Sequence, residues 1–225
     1  MRDGQGATPE FCRQLNALAV SFSEFTSAAH DYPIVFASLD EGQSFAPVIV
    51  LGLTEGSNLF VGPTGEWDST TYTPAFVRRY PYCISKLYKD GEPSGERVVC
   101  VARAWVDEAG RTLFDTSGTP SDFWRSTEQL LTEYETDLDL TARMCASFSR
   151  LRLLTPFTMR VVEGDRPYVQ LAGMYRIDEA RLRDLKPASH KALVNRGYMG
   201  KIYSHLHSLE NFSRLYARSL EHRAG

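Results

Sequence analysis

The strongest constraint on this chain is a series of short apolar segments between Tyr32 and Tyr82, each closed by turn residues. They read YPIVFAS, FAPVIVLGL, SNLFVGPTGEWD and TPAFVRRYPY. Brief apolar runs bounded by Gly, Pro, Asn and Asp are how closely connected strands are written. Ile34–Ser38 and Phe45–Leu53 are therefore expected as strands. VIVLGL lacks alternation, which predicts burial on both faces and a central place in the sheet for Val48–Leu53. TEGSN is expected to fold that strand back on Asn58–Val61 as a hairpin. The fourth segment differs. Pro74 suits a first helical turn with Thr73 as its cap, and Pro81 must stop it. Arg78, Arg79, Tyr80 and Tyr82 crowd together there on an otherwise apolar framework.

The flanks extend this pattern. Ala17–Val20 reads as a short strand. Ser21–His30 reads as a short helix, capped by Ser21 or Ser23, with Phe22 and Phe25 facing inward. Tyr82–Tyr88 and Arg97–Arg103 are expected strands around the turn KDGEPSGE, and WVDEAGRTLFD is expected as a turn flanked by short strands. From Thr119 the period changes from that of strands to that of a helix. Trp124, Leu131, Leu138 and Cys145 recur every seven residues, one apolar face of a helix reaching about Leu151. Thr119-Pro120-Ser121-Asp122 supplies its opening, with Pro120 at the first helical position. Phe157–Val162 and Tyr168–Ile177 follow as strands around EGDRP. Asp178 caps a short helix, and a long final helix is expected from about Met199 to Arg223. The fold class is α+β: a mainly antiparallel sheet in the first half, with long helices from the second half packed on it. Residues 1–10 are expected to be a loose segment and 11–225 a single domain.

Composition narrows the function classes. The net charge of −3 and pI near 6.0 leave no global basic field for nucleic acid or an anionic membrane. The longest apolar run, Ala46–Leu53, is less than half of a ~20-residue membrane span. MRDGQGATPE does not have the pattern of a signal peptide, so a cytoplasmic location is expected. Cys12, Cys83, Cys100 and Cys145 are scattered without ligand spacing and are read as reduced. His205 and His207 fall on nearly opposite sides of a helix, so one is expected partly buried and the other exposed, with no metal site. The acidic run Glu133, Glu135, Asp137 and Asp139 reads as a solvated helix face. No nucleophile elbow, phosphate loop or dinucleotide fingerprint appears, and no cofactor is expected.

The candidate binding residues are Trp67, Tyr72, Arg78, Arg79, Tyr80 and Tyr82. Guanidinium forks match carboxylate and phosphate, and tyrosines beside them add stacking faces and hydroxyls. Adjacent helical residues point about 100° apart, so the two arginines are expected to divide their tasks. Arg79 is the expected recognition residue. A structural arginine here would instead bridge to Asp68 or Glu66.

In order and spacing YPIVF, PVIVLGL, NLFV, GEWD and TPAFVRRYPY, with SHLHSLENFSRL near the C-terminus, resemble the bacterial SapC family over about residues 15 to 216. That resemblance brings no catalytic residue set. It implies an association with a bacterial surface layer, from which the family is named. Related proteins occur beside genes for flavin-dependent tryptophan halogenases, cupin-like proteins and outer-membrane receptors, so the resemblance implies a partner in a flavin-dependent halogenase or outer-membrane receptor system. The reading is a non-catalytic binding or accessory protein with an exposed arginine–aromatic surface for a protein, peptide or small anionic partner. The alternatives are an enzyme or obligate enzyme subunit acting on a peptide or aromatic metabolite, and a surface-layer protein.

Overall fold

The computed structural model describes residues 8–38, 40, 42–89, 91–107, 110–163 and 166–224. Most of the expected loose N-terminal segment, and parts of the turns at Glu41, Asp90 and Gly164–Asp165, lie outside the described residues. The elements in chain order are β1 (Ala17–Ala19), α1 (Phe25–Asp31), β2 (Ile34–Ser38), β3 (Phe45–Val50), α2 (Ala75–Arg78), β4 (Tyr82–Lys89) and β5 (Glu92–Val101). They continue as α3 (Asp122–Arg150), β6 (Leu154–Glu163), β7 (Arg166–Ile177), α4 (Glu179–Arg183), α5 (Pro187–Asn195), α6 (Tyr198–Ser208) and α7 (Asn211–Ala224). The fold is α+β, as its pattern of periods predicts.

Five antiparallel strands form the main sheet in the order β1-β3-β2-β7-β6, so a hairpin from the second half completes the strands of the first. β3 is interior, between β1 and β2, but the middle strand is β2. Residues paired across antiparallel strands share a face. Ile34, Phe36 and Ile49 point to one face, where Phe36 meets Phe148 of α3 and His205 of α6 edge-on. On the other face Phe212 of α7 packs on Phe157 of β6. β4 and β5 form a separate two-stranded ribbon against α3, tied by the Arg97–Glu135 ion pair at 3.2 Å. Its register sets Cys83 opposite Cys100, so two cysteines far apart in sequence are neighbours, both as free thiols.

β2 and β7 share only two paired positions, Phe36↔Tyr175 and Ala37↔Met174. Beyond them His205 takes over. Its Nε2 accepts from the Ile177 amide at 3.1 Å, which leaves Nδ1–H to donate to the Ile34 carbonyl at 2.8 Å. Burial pushes this imidazole down to about 4. His207 is exposed, so the expected division between the two histidines holds. Among the described residues no group of three or more His, Cys, Asp or Glu could hold a metal ion.

Several local expectations fail for identifiable reasons. Asn58–Val61 is not a strand. The Asn58 side chain bonds the Cys12 carbonyl and the Phe60 amide at 2.8 and 2.9 Å, holding an irregular buried loop. β3 stops at Val50 because the Leu51 and Gly52 amides both turn to the Asn16 carbonyl. A Cβ at Gly52 would overlap the Ser57 carbonyl oxygen, so only glycine admits this crossing. The segment after β5 makes a 3-10 turn at Arg103–Trp105 and a lone Phe114↔Pro120 bridge, not two strands. Ser121, after Pro120, caps α3 through the Trp124 amide at 3.2 Å. The expected final helix is broken between Ser208 and Asn211. There the Ser208 hydroxyl donates to the His205 carbonyl and accepts from the Ile34 amide, while the Asn211 amide donates to the Ala29 and Tyr32 carbonyls. Local side-chain bonds of this kind compete with helix continuation.

Candidate functional site

The arginine–tyrosine segment forms one wall of a cleft of about 430 Å³; Leu130–Asp137 of α3 forms the other. At its base lies Glu24, a buried carboxylate with four donors. Oε2 accepts from the Ser21 amide at 2.9 Å and the Ser21 hydroxyl at 2.6 Å. Oε1 accepts from the Ala75 amide at 2.6 Å and the Tyr72 hydroxyl at 3.1 Å. The first pair is a capping box around the 3-10 turn Phe22–Glu24. The second caps α2 from outside it: Pro74 holds the N-cap position and contributes no side-chain hydrogen bond, so the distant Glu24 stands where Thr73 was expected.

The six candidate residues do not form one surface. Tyr72 and Arg78 stand together on the cleft, with Arg78 Nη2 donating to the Tyr72 hydroxyl at 3.1 Å and Nε to the Thr73 carbonyl at 3.1 Å. Arg78 is exposed. Arg79 turns inward, its guanidinium over the rings of Phe76 at 4.7 Å and Tyr134 at 5.5 Å. Its Nη1 reaches the Tyr82 carbonyl at 3.3 Å, and its buried Nε has no hydrogen-bond partner. Tyr82 is buried beside Phe123 and Trp124. Tyr80 faces another side of the turn, touching Phe11 and accepting from Trp105 Nε1 at 2.8 Å. Trp67 is in the core, where its Nε1 donates to the Tyr32 hydroxyl at 3.0 Å.

The two arginines do divide their tasks, but Arg78 is the outward one. Asp68, a suggested anchor for them, is paired with Arg218 at 2.6 Å instead. The acidic run of α3 is not wholly a solvated face either. Asp137 accepts from the Ser23 amide and hydroxyl at 2.9 and 2.7 Å, docking the 3-10 turn on the helix, and the Ser21 hydroxyl, whose proton goes to the nearer Glu24, lies 3.1 Å from it.

Burial pushes Tyr72 and Tyr134 up to about 12 each. Glu24 and Asp137 were missed as site residues. The Ser21-Phe22-Ser23-Glu24 pattern carries a legible capping box, but nothing local reports that its carboxylate also caps α2. No helix among the described residues is long and apolar enough to cross a membrane. No curated protein and no solved structure shows significant similarity to this chain. The SapC family model, in contrast, matches residues 4–215, and the chain belongs to the SapC family.

Proposed function

We propose that this SapC-family chain is a non-catalytic binding or accessory protein that holds a protein or peptide partner at the Tyr72–Arg78 face of the cleft. The observation that carries this reading is Arg78. It is exposed, it is held by one carbonyl and one phenol, and no carboxylate among the described residues pairs with it. A guanidinium has five donors, so part of the fork remains for a partner. Glu133 and Asp137 on the opposite wall have the other sign. A chain segment offering both an acceptor and a donor fits such a cleft better than a lone anion.

An enzymatic reading would need an acid or base poised near neutral pH. Tyr72 and Tyr134, pushed up to about 12, lie far from that. Glu24 already has two donors on each oxygen. Within the proposal, the partner belongs to a flavin-dependent halogenase or outer-membrane receptor system, and the encounter takes place in the cytoplasm.

The test is affinity capture from cells of the source organism with the parent, Arg78→Ala and Arg79→Ala, alongside thermal unfolding. A partner held by the parent should be lost with Arg78→Ala at an unchanged melting temperature. Equal capture by the Arg78→Ala variant would remove the reading's support.

A further inference from the structure

A second hollow, of about 700 Å³, lies further along α3, toward its C-terminal end. Arg143 and Arg150 are seven residues apart, two helical turns, and so lie on one side of α3. Both line the hollow with Ser147 between them. Arg196 reaches in from the α5–α6 junction and lies 3.5 Å from the Ser147 hydroxyl. Ser147 directs that hydroxyl's proton to the Arg143 carbonyl, so the hydroxyl receives Arg196 as an acceptor. Phe22 and Tyr198, edge-on at 6.0 Å, form an aromatic wall. The junction is held by Gly197 at φ +71°, a left-handed conformation that favours glycine. It opens the eleven-residue α6, whose first turn has no side-chain cap and presents the positive end of the helix dipole.

The three arginines are all exposed, and none is ion-paired among the described residues. Asp139, one turn before Arg143, does not close a pair with it. Uncompensated cations repel one another, and three around one concavity hold a local field that the chain's net charge of −3 conceals. Together they offer more forked donors than the two oxygens of a carboxylate can accept. A terminal phosphate, with three oxygens and a charge near −2, matches them better. The volume is in the range of small-ligand sites, and the aromatic wall suits a planar or apolar body.

We infer that this hollow is a binding site for an organic phosphate, with Arg143, Arg150 and Arg196 on the phosphate and Phe22 and Tyr198 against the body. A soluble nucleotide-like ligand and a phospholipid headgroup share this chemistry. The experiment titrates the whole chain with inorganic pyrophosphate and with ATP by calorimetry, and sediments it with vesicles of phosphatidylcholine with or without phosphatidate. Arg150→Gln and the double variant Arg143→Gln/Arg196→Gln are compared with the parent and with Arg183→Gln, an exposed arginine elsewhere. Saturable ATP binding, tighter than pyrophosphate, assigns a soluble ligand. Phosphatidate-dependent sedimentation assigns a headgroup. In either case the double variant should bind at least tenfold more weakly, Arg150→Gln severalfold more weakly, and Arg183→Gln like the parent. All variants should melt as the parent does. No binding in any arm, or binding that both hollow variants retain, overturns the inference. The capture experiment at Arg78 reads a different wall of α3, so the two proposals fail independently.

Discussion

The two concavities along α3 are built from opposite materials. In the cleft at Leu130–Asp137 most polar groups are already bonded to one another: Glu24 has four donors, Asp137 has two from Ser23, and Arg79 lies between two rings. In the hollow some 13 residues on, roughly 20 Å along the helix, the cations have no acid among the described residues. Polar density is therefore a poor guide to availability. The busier cleft is mostly architecture, with Arg78 as its outward exception, while the plainer hollow keeps its charges unspent.

Glu24→Ala is the strongest way to break this contrast. It strands the Ser21 and Ala75 amides in a buried place and should cost about 3–5 kcal/mol, read by urea unfolding. A variant as stable as the parent would mean that the cleft's polar groups are no more committed than those of the hollow.

Acid separates architecture from surface by another route. Arginines do not titrate in the accessible range, whereas His205 does. Its folded value, about 4, lies below the unfolded value near 6.5, so between them the unfolded chain binds a proton that the folded chain refuses. Stability is then fully present above pH 6.5 and falls as pH drops toward 4, by roughly 3 kcal/mol. His205→Gln should be less stable but show a flatter pH profile across that window. Parallel profiles for the two would assign the loss to other groups.

The smallest expected effect sharpens the division between neighbours. Arg79→Ala removes two ring contacts and an apolar stem, at a cost of about 1–2 kcal/mol, while Arg78→Ala should stay within about ±0.5 kcal/mol. Equal melting temperatures for the two variants would erase the distinction between inward and outward arginine.

Much of this fold was legible because periodicity is local. The seven-residue recurrence of Trp124, Leu131, Leu138 and Cys145 announces α3, and VIVLGL announces a buried strand. What was not legible depends on partners distant in sequence. Asn58 meeting Cys12, Glu24 reaching Ala75 and Asn211 reaching Ala29 override local propensity at the failed hairpin, the α2 cap and the broken final helix. The candidate site shows the same limit. Adjacent numbers put Arg78 and Arg79 together, but only the packing of Tyr134 and Phe76 decides which one turns inward. The arginines of the hollow lie on separate elements, and no sequence window holds all three.

His205 has one more consequence. Because the Ile177 amide occupies Nε2, the buried ring is confined to a single tautomer with its proton on Nδ1. That proton is shielded from solvent and should exchange slowly, giving a resolved downfield resonance in ordinary proton spectra. It reports directly on the seam between β2 and β7, where a strand from each half of the chain meets. A single line could thus follow the closure of the molecule during refolding without any label.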